Sequence, residues 1–174
     1  MISYFVTPLF PDDFIYENIE VNDFDNENIL IHFIKGIKFI EQSKICYTHC
    51  QLGRSRSASF VIAYVMYSKR IHFSEAYDFV RSKRSQALPN EGFQCQLEDL
   101  DIILYNFDYN LDQCDEFIKS YFEIRDKLIE SEKEFLEKRK EEKKFKPKYE
   151  DDFNFGLNED EDEEDIPEEE KLEE

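Results

Sequence analysis

The sequence has little positive charge: 22 lysine and arginine residues face 41 acidic residues, a net charge of −19 over 174 residues. Because nucleic-acid-binding domains carry a basic face, this balance argues against such a domain. No apolar run is long enough to span a membrane. The four cysteines come without a secretory signal peptide, which predicts a reducing compartment rather than a disulfide scaffold. We therefore expect the cytoplasm, with the nucleus as a second location.

The segment from Ile45 to Ser57 combines a strand-like run, a loop and the first turn of a helix. In the loop, Cys50 and Arg56 enclose five residues that include Gly53. Such a loop can turn its backbone N–H groups toward one point, and the following helix adds the positive end of its dipole there. A thiol at that point ionises readily. The pattern predicts a cysteine nucleophile that faces a bound oxyanion.

A purely structural Cys50 is the ordinary alternative, because cysteines are often buried for packing alone. The spacing to arginine is weak evidence by itself, since four cysteines give it four chances. The other three cysteines place Leu52, Asp101 and Ser120 at that offset. Only Cys50 combines a strand, a glycine, an arginine and a helix, so we favour the nucleophile. The remaining cysteines are interpreted as structural, and no convincing set of zinc ligands is present.

The segment from His49 to Ser57 resembles the signature loop of the dual-specificity protein phosphatases, a branch of the cysteine-dependent phosphatases. The resemblance covers roughly the first 105 residues. It continues through four downstream segments in the same order and spacing, namely Ala63–Met66, Ser74–Ala76, Val80–Arg84 and Pro89–Leu97. Leu52 replaces a small residue common in the family and Ser85 replaces a proline, and neither change removes a reacting group.

The resemblance implies a protein phosphatase that hydrolyses phosphotyrosine and phosphoserine or phosphothreonine through a cysteinyl-phosphate intermediate. It implies that Cys50 attacks phosphorus, that Arg56 holds two phosphate oxygens and that Ser57 hydrogen-bonds the Cys50 sulfur. The remaining phosphate contacts come from the loop backbone, at Gln51, Leu52, Gly53, Arg54, Ser55 and Arg56. No metal or other cofactor is required, because the loop itself neutralises the phosphate. The alternative from another class is a catalytically weak phosphoprotein-binding or scaffold module.

In the family, the general acid lies in the loop that precedes the helix predicted here between residues 23 and 42. The family's pattern places this acid on Asp23. Asp23 would protonate the leaving oxygen and then take a proton from water. Asp25 is the second candidate. For either residue, an ordinary turn or helix-entry aspartate is the non-catalytic alternative, because aspartate is favoured there without any catalysis.

The resemblance implies an α/β fold of three layers, with a central, mostly parallel sheet flanked by helices. Runs rich in β-branched and aromatic residues predict strands at Ile2–Val6, Phe14–Val21 and Ile45–Thr48. Apolar residues at helical spacing predict helices between 23 and 42, from 58, from 75 to 83, after 90 and after 110. The expected caps are Asn26 or Asn28 for the first helix and Ser74 for the third.

By the same resemblance, the predicted strands before residue 22 are the third and fourth of the family's sheet. The first two strands and first helix of the domain are then expected to be missing. The strand that leads into Cys50 would lack a partner along one edge, and such an edge invites association. We expect reduced stability and self-association, unless the helix after Asn110 covers that edge.

Three regions are predicted along the chain: an N-terminally incomplete catalytic domain over 1–110, a charged helical extension over 111–146 and an acidic, disordered tail over 147–174. The tail carries fifteen acidic residues and two lysines, a net charge of −13. The expected partner is a phosphoprotein substrate, with neither nucleic acid nor membrane. The extension and the tail are candidate contacts for a protein partner.

Overall fold

The fold was analysed in a computed structural model that describes residue 8 and residues 10–144. Five helices lie in this range: α1 (Leu30–Gln42), α2 (Arg56–Lys69), α3 (Phe73–Lys83), α4 (Glu91–Asn106) and α5 (Leu111–Lys144). Each coincides with a segment whose apolar residues recur at helical spacing, so the predicted helices are confirmed. Among these five helices, none is long and apolar enough to cross a membrane.

Helix α2 lies at the centre of the core and contacts α1, α3 and α4. Its residues Phe60, Ile62, Ala63 and Met66 are almost completely buried, which fits the continuous apolar run of this helix. The Phe60 ring packs edge-on against Phe33 of α1, with 5.3 Å between ring centroids. This close packing fixes the start of α2, where Arg56 and Ser57 lie.

The predicted strands do not appear as regular strands between residues 10 and 144, where Ile19 alone forms a β-bridge. Ile2–Val6 lies outside the described residues. In the predicted strand Phe14–Val21, Ile19 and Val21 are buried, whereas Ile15 is 90% exposed. In the predicted strand Ile45–Thr48, Ile45 is 88% and Tyr47 82% exposed, so this segment is not buried on both faces. A strand needs a hydrogen-bonded neighbour, and the structure assigns no strand ladder to this segment.

Side chains of α4 cap the N-termini of two other helices. The backbone N–H groups of Ile29 and Leu30, at the start of α1, donate to Gln96 Oε1 at 2.8 and 2.9 Å. The N–H of Phe73, the first residue of α3, donates to Asp101 Oδ2 at 3.0 Å. The predicted local caps are therefore wrong, because the N-cap positions are Ile29 and His72 and neither makes a side-chain cap.

The chain divides into two units, residues 1–130 and residues 131–174. In the first unit, the first turns of α5 bury Cys114, Ile118 and Phe122 in the core. This part of α5 contacts α4 through Cys114, whose Sγ lies 3.9 Å from the carbonyl oxygen of Ile103. It leaves Ile45 exposed and therefore does not cover the predicted edge. The division at residue 110 stays a prediction, and residues 147–174 lie outside the described range.

Candidate active site

The loop from Cys50 to Arg56 runs directly into the N-terminus of α2, which begins at Arg56. Gly53 has a φ of +65°, in the left-handed region that glycine adopts without steric cost. This turn lets the Gly53 N–H donate back to Cys50 Sγ at 3.3 Å. From outside, Arg84 Nε donates to Gly53 O at 3.0 Å and the Leu88 N–H donates to Arg54 O at 2.8 Å. The loop is thus curled around the thiol, and hydrogen bonds from Arg84 and Leu88 hold its backbone in place.

The loop residues named by the sequence differ in their exposure. Cys50 and the last two residues of the loop, Ser55 and Arg56, are buried together with Ser57. Gln51, Leu52 and Arg54 are exposed, and Gly53 is half-buried. Among the buried residues, Ser57 contacts the Cys50 sulfur, whereas the exposed residues of the loop face the solvent.

The pKa of the Cys50 thiol lies below its ordinary value. Burial alone acts in the opposite direction, since it disfavours the thiolate. Hydrogen bonds from the Ser57 hydroxyl and from the backbone N–H groups of Ser57, Gly53 and Arg54 outweigh this cost. Cys114 shows the effect of burial without such a loop, because there burial raises the pKa to about 11. The local hydrogen bonds, and not the residue type, distinguish the pKa of Cys50 from that of Cys114.

The Arg56 guanidinium, at the end of the loop from Cys50, contacts the segment that carries Asp23. Its side chain is 10% exposed, and NH1 donates to Val21 O at 3.3 Å. Its Nε lies 3.7 Å from Asp23 Oδ2, which is an ion-pair distance rather than a hydrogen bond. Within the described residues, this buried Nε has no hydrogen-bond partner. Arg56 therefore has a buried N–H donor that an oxyanion can use.

Asp23 lies beside this loop, as the resemblance predicted. Its Oδ1 accepts a hydrogen bond from the Ser55 hydroxyl at 2.5 Å and another from Asn90 Nδ2 at 3.0 Å. The Asn90 N–H in turn donates to the Ser55 oxygen at 3.1 Å. Asp23 keeps a side-chain exposure of 35%, so its carboxyl contacts both the loop and the solvent. The structure thus brings Asp23 to Arg56, although its catalytic role stays a prediction.

Asp25 contacts the site through its backbone. A Cβ added at Gly92 would lie 1.8 Å from the Asp25 carbonyl oxygen, so the first turn of α4 approaches the loop as closely as glycine allows. The Asp25 side chain itself is exposed. The geometry therefore supports Asp23 over Asp25 as the carboxyl beside Arg56.

Sequence reasoning missed the functions of Ser55, Asn90 and Gln96. All three connect the Asp23 loop to the rest of the site through side-chain hydrogen bonds. Asn90 and Gln96 lie in the segment Pro89–Leu97, which was noticed only for its resemblance. No local pattern singles out Gln96, because α4 also carries Gln94, Glu98 and Asp99.

A cavity of about 470 Å³ opens beside Cys50, between the loop, α2 and α3. Phe79 and Val80 contribute apolar walls, and Lys83 and Arg84 contribute two basic side chains. This combination is suited to an anionic group next to apolar or aromatic atoms.

Comparison with known proteins identifies the class to which this fold and site belong. The family model described as "Dual specificity phosphatase, catalytic domain" matches residues 9–102, more than half of the chain. The chain therefore belongs to the dual-specificity phosphatase family, and the predicted resemblance is confirmed.

Particular relatives agree with this assignment. Dual specificity protein phosphatase 1B of Arabidopsis thaliana is 39% identical over 100 residues, which cover 55% of this chain and 60% of that protein. Protein phosphatase Slingshot homolog 1 of Homo sapiens is 41% identical over 99 residues, which cover 55% of this chain and 9% of that protein. The chain thus spans less than two thirds of either relative.

Solved structures resemble the chain at a similar level. The crystal structure of DUSP15 has 31% identity and a TM-score of 0.54, covering 57% of this chain and 67% of that chain. The human tyrosine phosphatase-like serine/threonine/tyrosine-interacting protein has 30% identity and a TM-score of 0.53, covering 60% of this chain and 75% of that chain. These solved structures are phosphatase folds of the α/β class, so the prediction of a phosphatase fold is supported. The central sheet stays a prediction, because the described residues contain no strand.

Proposed function

We propose that the protein is a phosphatase that hydrolyses phosphotyrosine and phosphoserine or phosphothreonine on proteins. The observation that carries this proposal is the Cys50 thiol, whose pKa is lowered by the hydrogen bonds of a loop that also presents the Arg56 guanidinium. A thiolate nucleophile and an oxyanion site then lie within one loop. This is the arrangement needed to split phosphoester hydrolysis into two steps.

In the first step, the Cys50 thiolate attacks phosphorus. An S–P bond forms while the P–O bond to the substrate side chain breaks. Asp23 gives its proton to the leaving oxygen, and Arg56 with the loop N–H groups stabilises the charge on the phosphoryl oxygens. Arg56 Nε lies 3.7 Å from Asp23 Oδ2, so the carboxyl is next to the group that would hold the phosphoryl oxygens.

In the second step, a water molecule attacks the cysteinyl phosphate. Asp23, now a carboxylate, takes a proton from the water as the new P–O bond forms. The S–P bond breaks and its electron pair returns to the Cys50 sulfur. The Ser57 hydroxyl, 3.2 Å from that sulfur, donates a hydrogen bond to the departing thiolate. No metal is required, because Arg56 and the loop N–H groups supply the positive charge.

The proposal extends to partners, location and the finer fold. The substrate is a phosphoprotein, and the basic Lys83 and Arg84 beside the cavity suit its negative charge. The extension over 111–146 and the tail over 147–174 are proposed to contact a protein partner. The four free cysteines support a reducing compartment, the cytoplasm with the nucleus as a second location. A central, mostly parallel sheet is proposed from the likeness to phosphatase folds.

The second candidate function is phosphoprotein binding without turnover. It is favoured by the similarity to the human tyrosine phosphatase-like serine/threonine/tyrosine-interacting protein. Its weakness is that binding alone does not need a thiol with a lowered pKa.

The test is turnover of phosphotyrosine and phosphothreonine peptides by the full chain and by Cys50→Ser. We expect many turnovers by the parent and an acid-trapped phosphoryl group on Cys50. Cys50→Ser should bind inorganic phosphate but lose turnover by about 10⁴-fold or more. Phosphopeptide binding by the parent without release of phosphate would favour the binding module. Full activity in Cys50→Ser would overturn the mechanism.

A further inference from the structure

A single amide side chain, that of Gln96 on α4, ties together the loop that follows Asp23 and the start of α1. Its Oε1 accepts hydrogen bonds from the N–H groups of Ile29 and Leu30 at 2.8 and 2.9 Å. Its Nε2 donates to the carbonyl oxygens of Glu27 at 2.8 Å and Gly92 at 3.2 Å. Both donors and both acceptor positions of the amide are thereby used.

The partners of Gln96 also fix the orientation of its amide. Two backbone N–H groups require the oxygen on one side, and two carbonyl groups require the NH₂ on the other. A flipped amide would place like groups together at all four contacts. This arrangement of two donors and two acceptors therefore requires an amide side chain, and neither a glutamate nor a hydrocarbon side chain makes all four hydrogen bonds.

The other contacts of the loop explain why this clamp affects the site. Asp23 is bound at one end of the loop, by Ser55 and Asn90. In between, the loop closes on itself through a hydrogen bond from the Glu27 N–H to Phe24 O at 3.1 Å. Gln96 binds the other end, and the Gly92 that it contacts packs against the Asp25 carbonyl. Both ends of a short loop are thus attached, and the position of the carboxyl depends on both.

We propose that Gln96 is a positioning residue for the general acid, which holds the Asp23 carboxyl at its working distance from the phosphoryl group. This inference rests on the proposed function, because it assigns Gln96 a role in the protonation of the leaving oxygen. Gln96 acts through the loop backbone, by its bonds to Glu27, Ile29 and Leu30. Because a displacement of about 1 Å in a reacting group can cost about 100-fold, loss of the clamp should slow the step that needs the proton.

The test compares Gln96→Leu and Gln96→Glu with the parent on two substrates. Phenyl phosphate needs a proton on its leaving oxygen, whereas 2,4-dinitrophenyl phosphate does not. We expect Gln96→Leu to lower kcat/KM for phenyl phosphate about tenfold or more while changing kcat/KM for the dinitrophenyl ester little, because kcat/KM reports the first step alone. Gln96→Glu keeps the acceptors for Ile29 and Leu30 but sets a carboxylate against two carbonyls, so we expect the same direction.

Leu97→Ala is the matched control for a general loss of stability. Leu97 is the next residue on α4 and is fully buried in the core, and its hydrocarbon side chain makes none of the hydrogen bonds of Gln96. The substitution should lower the melting temperature but leave the ratio of the two kcat/KM values unchanged. Equal changes of this ratio in Leu97→Ala and Gln96→Leu would reduce Gln96 to a stabilising cap and overturn the proposal.

A double-mutant cycle with Asp23→Asn separates this inference from the proposed function. If Gln96 acts through Asp23, Gln96→Leu should have almost no further effect on the ratio in the Asp23→Asn background. An unchanged ratio in Asp23→Asn alone would reject Asp23 as the acid. A changed ratio in Asp23→Asn together with an unchanged ratio in both Gln96 variants would reject only the role of Gln96. If Gln96→Leu does not fold, Gln96→Glu decides the result.

Discussion

The Ser57 hydroxyl lies 3.2 Å from the Cys50 sulfur, at the start of α2. Because Ser57 directly follows Arg56, the helix that presents the guanidinium also presents the hydroxyl to the nucleophile. Among the groups that lower the pKa of Cys50, the Ser57 hydroxyl makes the largest contribution. In the proposed mechanism, this side chain therefore favours both the formation and the release of the thiolate.

We predict that Ser57→Ala raises the pKa of Cys50 relative to the parent. The thiolate that leaves in the second step also loses a hydrogen bond to a charged group, so kcat should fall about 10- to 100-fold. The pH dependence of Cys50 alkylation by iodoacetate measures the first effect, and its midpoint should move to higher pH. Ser59→Ala is the control, since its hydroxyl donates to Ser55 O on the same helix. An equal midpoint in the parent and Ser57→Ala would contradict this role.

We predict that Arg56→Lys lowers kcat by about 100-fold or more on both phenyl and 2,4-dinitrophenyl phosphate. Lysine keeps the charge but not the planar array of N–H donors, so transition-state oxygens lose directed hydrogen bonds. Steady-state kinetics on both esters checks this. Arg81→Lys, an exposed change on α3, is the matched control. A kcat of Arg56→Lys close to that of the parent would show that a point charge alone stabilises the transition-state oxygens, without the planar N–H donors of arginine.

We predict that Asp23→Asn lowers kcat/KM for phenyl phosphate by about 10²- to 10⁴-fold and has little effect on kcat/KM for the dinitrophenyl ester, because kcat/KM reports the first step, in which the leaving oxygen departs. The reason is that only the phenolate of phenyl phosphate needs a proton as it leaves. Asp25→Asn, with an exposed side chain two residues away, should show neither effect. The reverse pattern would assign the acid to Asp25, and no effect in either variant would support the binding module.

The residues of the loop from Cys50 to Ser57 could be predicted as one site because they are close together in the sequence. Cys50, Gly53, Arg56 and Ser57 lie within eight consecutive residues, and one loop with one helix start brings them together. The position of Asp23 needed the family resemblance, since its contact with the loop spans 32 residues to Ser55.

The caps and the predicted strands could not be obtained in this way. The N-termini of α1 and α3 take their hydrogen bonds from Gln96 and Asp101, which follow in the sequence by 66 and 28 residues. A local capping rule sees only the neighbouring asparagine or serine. The alternation around Ile15 likewise predicts a buried face, whereas burial depends on whether another element packs there.

We predict that Gly92→Ala disturbs the Asp23 loop, because the added methyl would meet the Asp25 backbone at 1.8 Å. Backbone atoms cannot rotate away as a side chain can, so the loop or α4 must move. We expect lower stability by about 1–3 kcal/mol and a lower kcat/KM ratio of phenyl to dinitrophenyl phosphate. Gly36→Ala is the control: the atoms nearest to its added methyl belong to the Phe60 side chain, so it should destabilise without changing this ratio. If this ratio is the same in Gly92→Ala and Gly36→Ala, the prediction that the close contact of Gly92 affects the Asp23 loop is contradicted.

The last prediction concerns the segment that enters the nucleophilic loop, where Ile45 and Tyr47 are 88% and 82% exposed. A run of β-branched and aromatic residues with exposed alternate side chains favours pairing with another extended chain, and charge on such a segment opposes it. We predict that the parent associates as its concentration rises and that Ile45→Lys shifts it toward the monomer, as measured by multi-angle light scattering. Ile15→Lys is the matched control, because Ile15 is 90% exposed in a different segment. If both lysines suppress association equally, the effect is general surface charge, and a parent that stays monomeric would contradict the prediction directly.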